Sequence, residues 1–324
     1  MNHSKILIFK LLILLVLTGC SSKAKPKVKN DLTKHELSGN VKSADVFFYH
    51  VAKRSKGITK TRGGKTDAYL FNNSGNLLES KSFHGNEYKE ITDFAKLNNV
   101  GNALDVEKDK DFNLRLKCVF SYNEKDKLKE EIRYNPEGVK TTNIVYEYGD
   151  KGERTKVIYY DGANGTIRGE TNNTYNDKNE LISSVSYGQK YTFEYDNNGN
   201  KIQTNCITAK KKYTYKYDSD NNVIEEVKYD LNKNNTMLFK TTFSYNSNGL
   251  LIKKADTNPS GDNYENNYIY DDNDNLIEHT TTFTWRKPTK YIFENDKNGN
   301  WVKKYKYEGN ECLYLWERNI EYYN

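Results

Sequence analysis

Residues 195–202 read YDNNGNKI, from Tyr195 to Ile202, and the chain of 324 residues writes versions of this stretch about ten times. With Tyr195 as reference, the equivalents are Phe71, Leu97, Tyr122, Tyr148, Tyr175, Tyr217, Tyr245, Tyr270 and Asn295. The next residue is Asn or Asp in every copy except the one holding Gly149. An Asx side chain there accepts backbone N–H bonds and starts a turn. Four places after the reference stand Gly75, Gly101, Asp126, Gly152, Asn179, Gly199, Asn221, Gly249, Asp274 and Gly299. Gly, Asn and Asp are the residues that tolerate positive φ, so these substitutions obey a backbone rule. A type I turn followed by a left-handed residue is a favoured hairpin connection.

The flanks alternate with period two, as strands do. Tyr191, Phe193 and Tyr195 share one face, while Lys190, Thr192 and Glu194 share the other. Tyr213, Tyr215 and Tyr217 repeat the pattern against Lys212, Thr214 and Lys216. References recur mostly near every 25 residues, which marks a repeat array. One hairpin has nothing to bury its aromatic face against; neighbouring copies supply that surface. The expected fold is all-β: tandem antiparallel hairpins in one long twisted sheet. About twenty strands laid flat would span ~95 Å at ~4.8 Å each. Open twisted sheets rarely stay open beyond about ten strands, so this one curls into an open barrel, a spiral or a partial shell. A closed barrel of that width would have a lumen that tyrosines cannot fill.

The pattern Y-D-x-x-G-N plus an apolar residue resembles the YD repeat of RHS-type proteins. The copies that carry the resemblance are YDNNGNKI at 195–202, YDSDNNVI at 217–224, YDDNDNLI at 270–277 and NDKNGNWV at 295–302. It covers roughly residues 65 to 324, with weaker copies before 150. The resemblance implies hairpins added side by side into a strip that curls into a shell. The toxin that large family members enclose is not expected here, where the repeats run to Tyr323–Asn324.

Residues 1–19 read as a secretion signal, with Lys5, Lys10 and the apolar run Leu11–Leu17. Leu17-Thr18-Gly19-Cys20 resembles a bacterial lipobox, which implies acylation of Cys20 and a membrane anchor. Residues 20–36 are expected to be a flexible basic tether, holding Lys23, Lys25, Lys27 and Lys29. Residues 37–65 are expected to cap the first edge of the array, which then occupies 66–324. The address is the cell envelope. Ser21 follows the lipid site where Asp would favour inner-membrane retention, so an outer membrane or cell surface is expected if the cell has two membranes.

Loss of Lys5 and Lys10 with the signal lowers the formal charge from +6 to +4. Lys and Glu alternate along the strands, and no concentrated basic face invites nucleic acid. The 27 Tyr fit a sheet face carpeted by amphipathic rings, and only 4 Pro fit strands that must donate N–H bonds. Cys118, Cys206 and Cys312 form no C-x-x-C and read as buried free thiols, with one disulfide pair as the alternative. His35, His50, His84 and His279 share no metal-ligand spacing. The strings Asp218–Asn222 and Asp271–Asn275 look like half of a calcium loop. Val223 and Leu276 stand where that loop needs Gly, so the hairpin reading prevails. Trp301 reads as structural, whereas Trp285 and Trp316 are candidates for stacking on sugar rings. No nucleophile elbow or Gly-rich phosphate loop occurs. No cofactor, metal or catalytic residue is expected. The expected role is binding or scaffolding at the envelope, with another envelope protein or a polysaccharide as partner. A glycan-processing enzyme and a component of an RHS-related contact or toxin system are the alternatives.

Overall fold

The computed structural model describes residues 31–54, 57–84, 114–272, 274–283 and 286–324. A one-turn helix, α1 (Asp31–Lys34), leads into twenty strands. They are β1 (Val41–Arg54), β2 (Gly57–Phe71), β3 (Leu77–Phe83), β4 (Leu114–Tyr122), β5 (Leu128–Tyr134), β6 (Lys140–Tyr148) and β7 (Arg154–Asp161). Next come β8 (Ile167–Tyr175), β9 (Leu181–Ser186), β10 (Gln189–Tyr195), β11 (Lys201–Cys206), β12 (Lys211–Tyr217), β13 (Val223–Asp230) and β14 (Thr236–Tyr245). The last are β15 (Leu251–Thr257), β16 (Asn263–Tyr270), β17 (Leu276–Thr281), β18 (Thr289–Asn295), β19 (Trp301–Glu308) and β20 (Glu311–Tyr322).

Each strand pairs antiparallel with its neighbours in sequence, and β20 returns to β1. The sheet is therefore a closed barrel. Whether the sheet closes is not legible in the sequence; the pairing decides it. One sequence expectation changes here: residues 37–65 cap no edge, because β1 lies between β20 and β2, joined by Phe48↔Trp316 and Phe48↔Gly64. The segment Asn319–Tyr323 is likewise no bare edge, since Ile320 pairs with Ala44. At ~4.8 Å per strand and a tilt near 40°, twenty strands give a backbone diameter of roughly 30–40 Å.

The repeats form the turns expected of them. Asp196 Oδ1 accepts the N–H groups of Asn198 and Asn200 at 2.9 and 2.8 Å. Asn72, Asn123, Asp218, Asn246 and Asp296 make the same pair of bonds. The fourth place is left-handed throughout the described copies, for example Gly199 at φ +81, Asn221 at +63 and Asp274 at +64. The copy at Leu97–Gly101 lies outside the described residues. All these turns gather at one rim of the barrel, because each joins an even-numbered strand to the next odd one. At the opposite rim, Asn135–Gly138 and Asn258–Gly261 build the same turn with Pro in second place. The sequence reading passed over them.

The reference tyrosine has a task of its own. Between successive hairpins the backbone ladder stops short of the turn; β11 meets β12 only from Gln203 onward. The Tyr217 hydroxyl closes the gap by donating to the Lys201 carbonyl at 2.7 Å. Tyr122, Tyr148, Tyr175, Tyr195, Tyr245 and Tyr270 do the same to Leu77, Leu128, Arg154, Leu181, Val223 and Leu251.

Buried apolar clusters are small and sit near the closure. One joins Leu32, Leu37, Val41, Ala44, Phe71 and Leu77; the other joins Val51, Cys312 and Leu315. Elsewhere most strand side chains are half-buried, so the ring encloses space and not a continuous core.

Candidate functional site

Pairing partners sort the side chains into two faces. One face carries Phe193, Thr204, Tyr213 and Lys228 in a single lateral row of partners. Burial dominates its ionisable groups. It pushes Lys201 and Lys304 down, raises Glu226, and raises Tyr195 and Tyr215 to about 12. On the other face partner bonds dominate the lysines. Glu225 holds Lys216 up and Glu294 holds Lys303 up, each through a hydrogen bond. The desolvated, aromatic face is the inner one. Its cations lie on rings: Lys201 is 5.1 Å from the Tyr215 centroid, and Lys304 is 5.0 Å from that of Tyr291. The outer face is laced with cross-strand ion pairs such as Lys216–Glu225–Lys240, Lys156–Glu170 and Lys253–Glu265.

The N-terminal segment seats on the inner face, at the rim of the repeat turns. This corrects the tether: residues 31–36 are part of the fold, because Leu32 is an apolar residue that finds a core, only 4% exposed. Asp31 accepts the Leu77 N–H at 2.9 Å and lies 2.8 Å from the Tyr122 hydroxyl. Burial would raise the Asp31 carboxyl, yet these bonds and Lys34 hold it below the usual carboxylate range. Asn300 clamps Ser38 by accepting its N–H and donating to its carbonyl, at 2.7 and 2.9 Å. The Trp301 indole donates to Glu36 at 2.8 Å. Arg318 lies over the Trp301 ring, 3.4 Å from its centroid, and donates to the His35 and Glu36 carbonyls at 2.7 and 3.0 Å. Burial pulls the Arg318 guanidinium down to about 10. Between this segment and the wall is a cleft of ≈ 220 Å³. Lys34, His35, Glu36, Val46, Tyr69, Trp301, Lys304, Trp316 and Arg318 line it.

The candidates from sequence distribute as follows. Trp301 is buried and structural in its packing, at 6% exposed, while Trp316 is half-buried on the cleft wall. Trp285 and Cys20 lie outside the described residues. Cys118, Cys206 and Cys312 are buried and free. His35 lies tilted against Tyr69, ring centroids 4.1 Å apart; His50 and His279 sit apart from it on the inner face, and His84 is exposed. The calcium-like strings spend their first carboxylate on turn N–H groups, Asp218 on Asp220 and Asn222, Asp271 on Asn275. Among the described residues no group of three metal-ligating side chains converges. Sequence reading missed Arg318 and Lys304. Each is an ordinary cation on a strand, and only ring closure brings both against the N-terminal segment.

No protein-family model and no curated protein matches the chain. Solved structures similar to it include a porin-like protein from Bacteroides uniformis, with 11% identity over 87% of this chain and 98% of that one, at a TM-score of 0.35. A porin-like protein from Bacteroides vulgatus matches at 8% identity over 67% of this chain and 95% of that one, with a TM-score of 0.24. The Tc holotoxin pore of Photorhabdus luminescens matches at 10% identity over 76% of this chain but 17% of its own, with a TM-score of 0.30.

Proposed function

We propose that this chain is a lipid-tethered barrel of the cell envelope that stands in water and acts by binding on its inner face. The observation that carries the reading is charge on both faces of the wall. Lys216, Glu225, Lys253 and Glu265 face one way; Lys228, Lys254, Asp256 and Lys304 face the other. A bilayer-spanning barrel needs an apolar outer band, and each Lys or Arg placed at its midplane costs about 2–4 kcal/mol. Neither face offers such a band. Anchoring falls on this reading to Cys20, supported by the lipobox-like Leu17-Thr18-Gly19-Cys20; acyl chains there would contribute about 0.8 kcal/mol per buried CH₂. The repeat chemistry supports grouping the chain with YD-repeat proteins. Radiolabelled palmitate and membrane fractionation test the anchor: wild type should label and sediment with membranes, and Cys20→Ala should do neither. A glycan array and a pull-down from envelope extract test the binding role; blanks in both would remove it.

One observation favours a second reading, glycan processing. Burial raises the Glu226 carboxyl against the opposing charges of Lys201, Lys254 and Lys228, with the Asp256 charge a smaller addition to the rise. Both face the lumen, linked across the sheet by Thr241, which pairs with Glu226 and donates to Asp256 at 2.6 Å. Two carboxyls held apart on a concave face are the minimum for acid–base hydrolysis of a glycosidic bond. Release of reducing ends from envelope polysaccharide by wild type but not by Glu226→Gln would favour it.

A further inference from the structure

We propose that the cleft between the N-terminal segment and strands β1, β2, β19 and β20 binds a carboxylated sugar residue. The proposal rests on the binding role above and names its ligand class.

The lining is cationic. Lys34, Lys304 and Arg318 face it, with Glu36 as its acid. Glu36 is already engaged by the Trp301 indole, and Lys34 pairs with Asp31 at 2.6 Å. Lys304 rests on the rings of Tyr291, Phe293 and Trp301, with no acid within ion-pair distance among the described residues. The Arg318 side chain is 7% exposed. Its two terminal nitrogens serve the His35 and Glu36 carbonyls, and Nη2 also lies 3.8 Å from the Glu36 carboxylate, while its buried Nε–H finds no acceptor among the described residues. Leaving such a donor unserved is unfavourable, so the site is built for an incoming acceptor.

That acceptor is one planar carboxylate. The Arg318 Nε–H and the Lys304 ammonium supply a donor for each of its two oxygens. Beside them Trp316 presents a half-exposed ring, which suits the C–H face of a pyranose. The volume of ≈ 220 Å³ is below that of drug-sized pockets and suits about one sugar ring.

Titration calorimetry of the mature lipidated chain in detergent, with D-glucuronate, D-glucose and acetate as ligands, tests this. Glucuronate should saturate one site, glucose should bind about tenfold or more weakly, and acetate should not displace glucuronate at equal concentration. Lys304→Gln, which removes a charge but no hydrogen bond to the segment, should weaken glucuronate about tenfold while the melting temperature holds. Trp316→Leu should weaken glucuronate and leave any weak acetate binding unchanged. Equal binding of glucose, displacement by acetate, or an unchanged Lys304→Gln isotherm would overturn the site. If glucuronate fails while the glycan array reports other sugars, this site falls and the binding role stands; if both are blank, both fall.

Discussion

A phenol hydroxyl explains why the repeat spells Tyr where Phe would pack as well. The Tyr195 ring packs with its hairpin, but its hydroxyl serves the Leu181 carbonyl of the hairpin before it. Tyr195→Phe should lower stability by about 1 kcal/mol, the net worth of one such bond. Tyr148→Phe and Tyr270→Phe should each cost a similar amount and add, since the sites are far apart; chemical denaturation of the single and double variants checks this. The left-handed position gives the opposite kind of test. Gly199 at φ +81 has only Glu180 near its missing Cβ, at 3.5 Å, so space is not the constraint and φ is. Gly199→Asn should be close to neutral, as Asn221 in the next copy implies, while Gly199→Val should cost about 1–2 kcal/mol. Equal melting temperatures for the two variants would remove the backbone explanation. These positions were legible in the sequence because the chemistry is local: the Asx oxygen, the αL residue and the N–H groups they serve lie within five residues.

Single elements depart from the repeat where a residue does. Asn295 replaces the reference Tyr on β18, and among the described residues no hydroxyl bonds the Leu276 carbonyl there. The β17–β18 pairing is correspondingly short, limited to Glu278↔Lys290 and His279↔Thr289. Hydrogen exchange should therefore be fastest across this seam among the repeat strands, and Asn295→Tyr should slow it by supplying the missing bond, worth about 1 kcal/mol. Exchange at residues 289–295 unchanged by the substitution would separate the two observations. The N-terminal segment is the other departure. Burial holds His35 below its usual 6.5; Arg318 and Lys34 push the same way, while Asp31 opposes them. The unfolded chain then binds the proton more readily, so this contribution is present above pH 6.5 and is lost as pH falls through the folded value. Trypsin cleavage after Lys34 should quicken between pH 7.5 and pH 5.5, and His35→Gln should flatten that dependence. Neither the segment nor the closing strand could be read from sequence. Leu32 and Leu37 are two apolar residues in a polar run, and the core that receives them comes from strands at both ends of the chain. Nothing local to Val41–Arg54 says that it meets Tyr314–Tyr322.

At the scale of the molecule, closure replaces capping. An open array must protect two edge strands, and a ring has none. Deleting residues 311–324 should bare β1 and β19 together, and the product should self-associate at micromolar concentration, read by light scattering. Closure also fixes what the two faces meet. The inner face holds aromatic rings with cations resting on them, half-buried around a lumen too wide for side chains to fill. The outer face alternates lysine and glutamate in pairs that are individually worth little, 1 kcal/mol or less at about this exposure. Their importance lies in hydration: each such pair moved into hydrocarbon would lose water that the lipid cannot replace. On the proposed reading, a wall of this kind needs no lipid around it. The chain begun at Ser21, without signal or acyl group, should therefore purify from the soluble fraction without detergent and run as one species on size exclusion. It should retain a sheet-rich circular dichroism spectrum and leave the conductance of planar bilayers unchanged. A requirement for detergent, or stepwise conductance on addition to a bilayer, would mean that one charged face tolerates lipid, and the aqueous-barrel reading would give way to a membrane-spanning one.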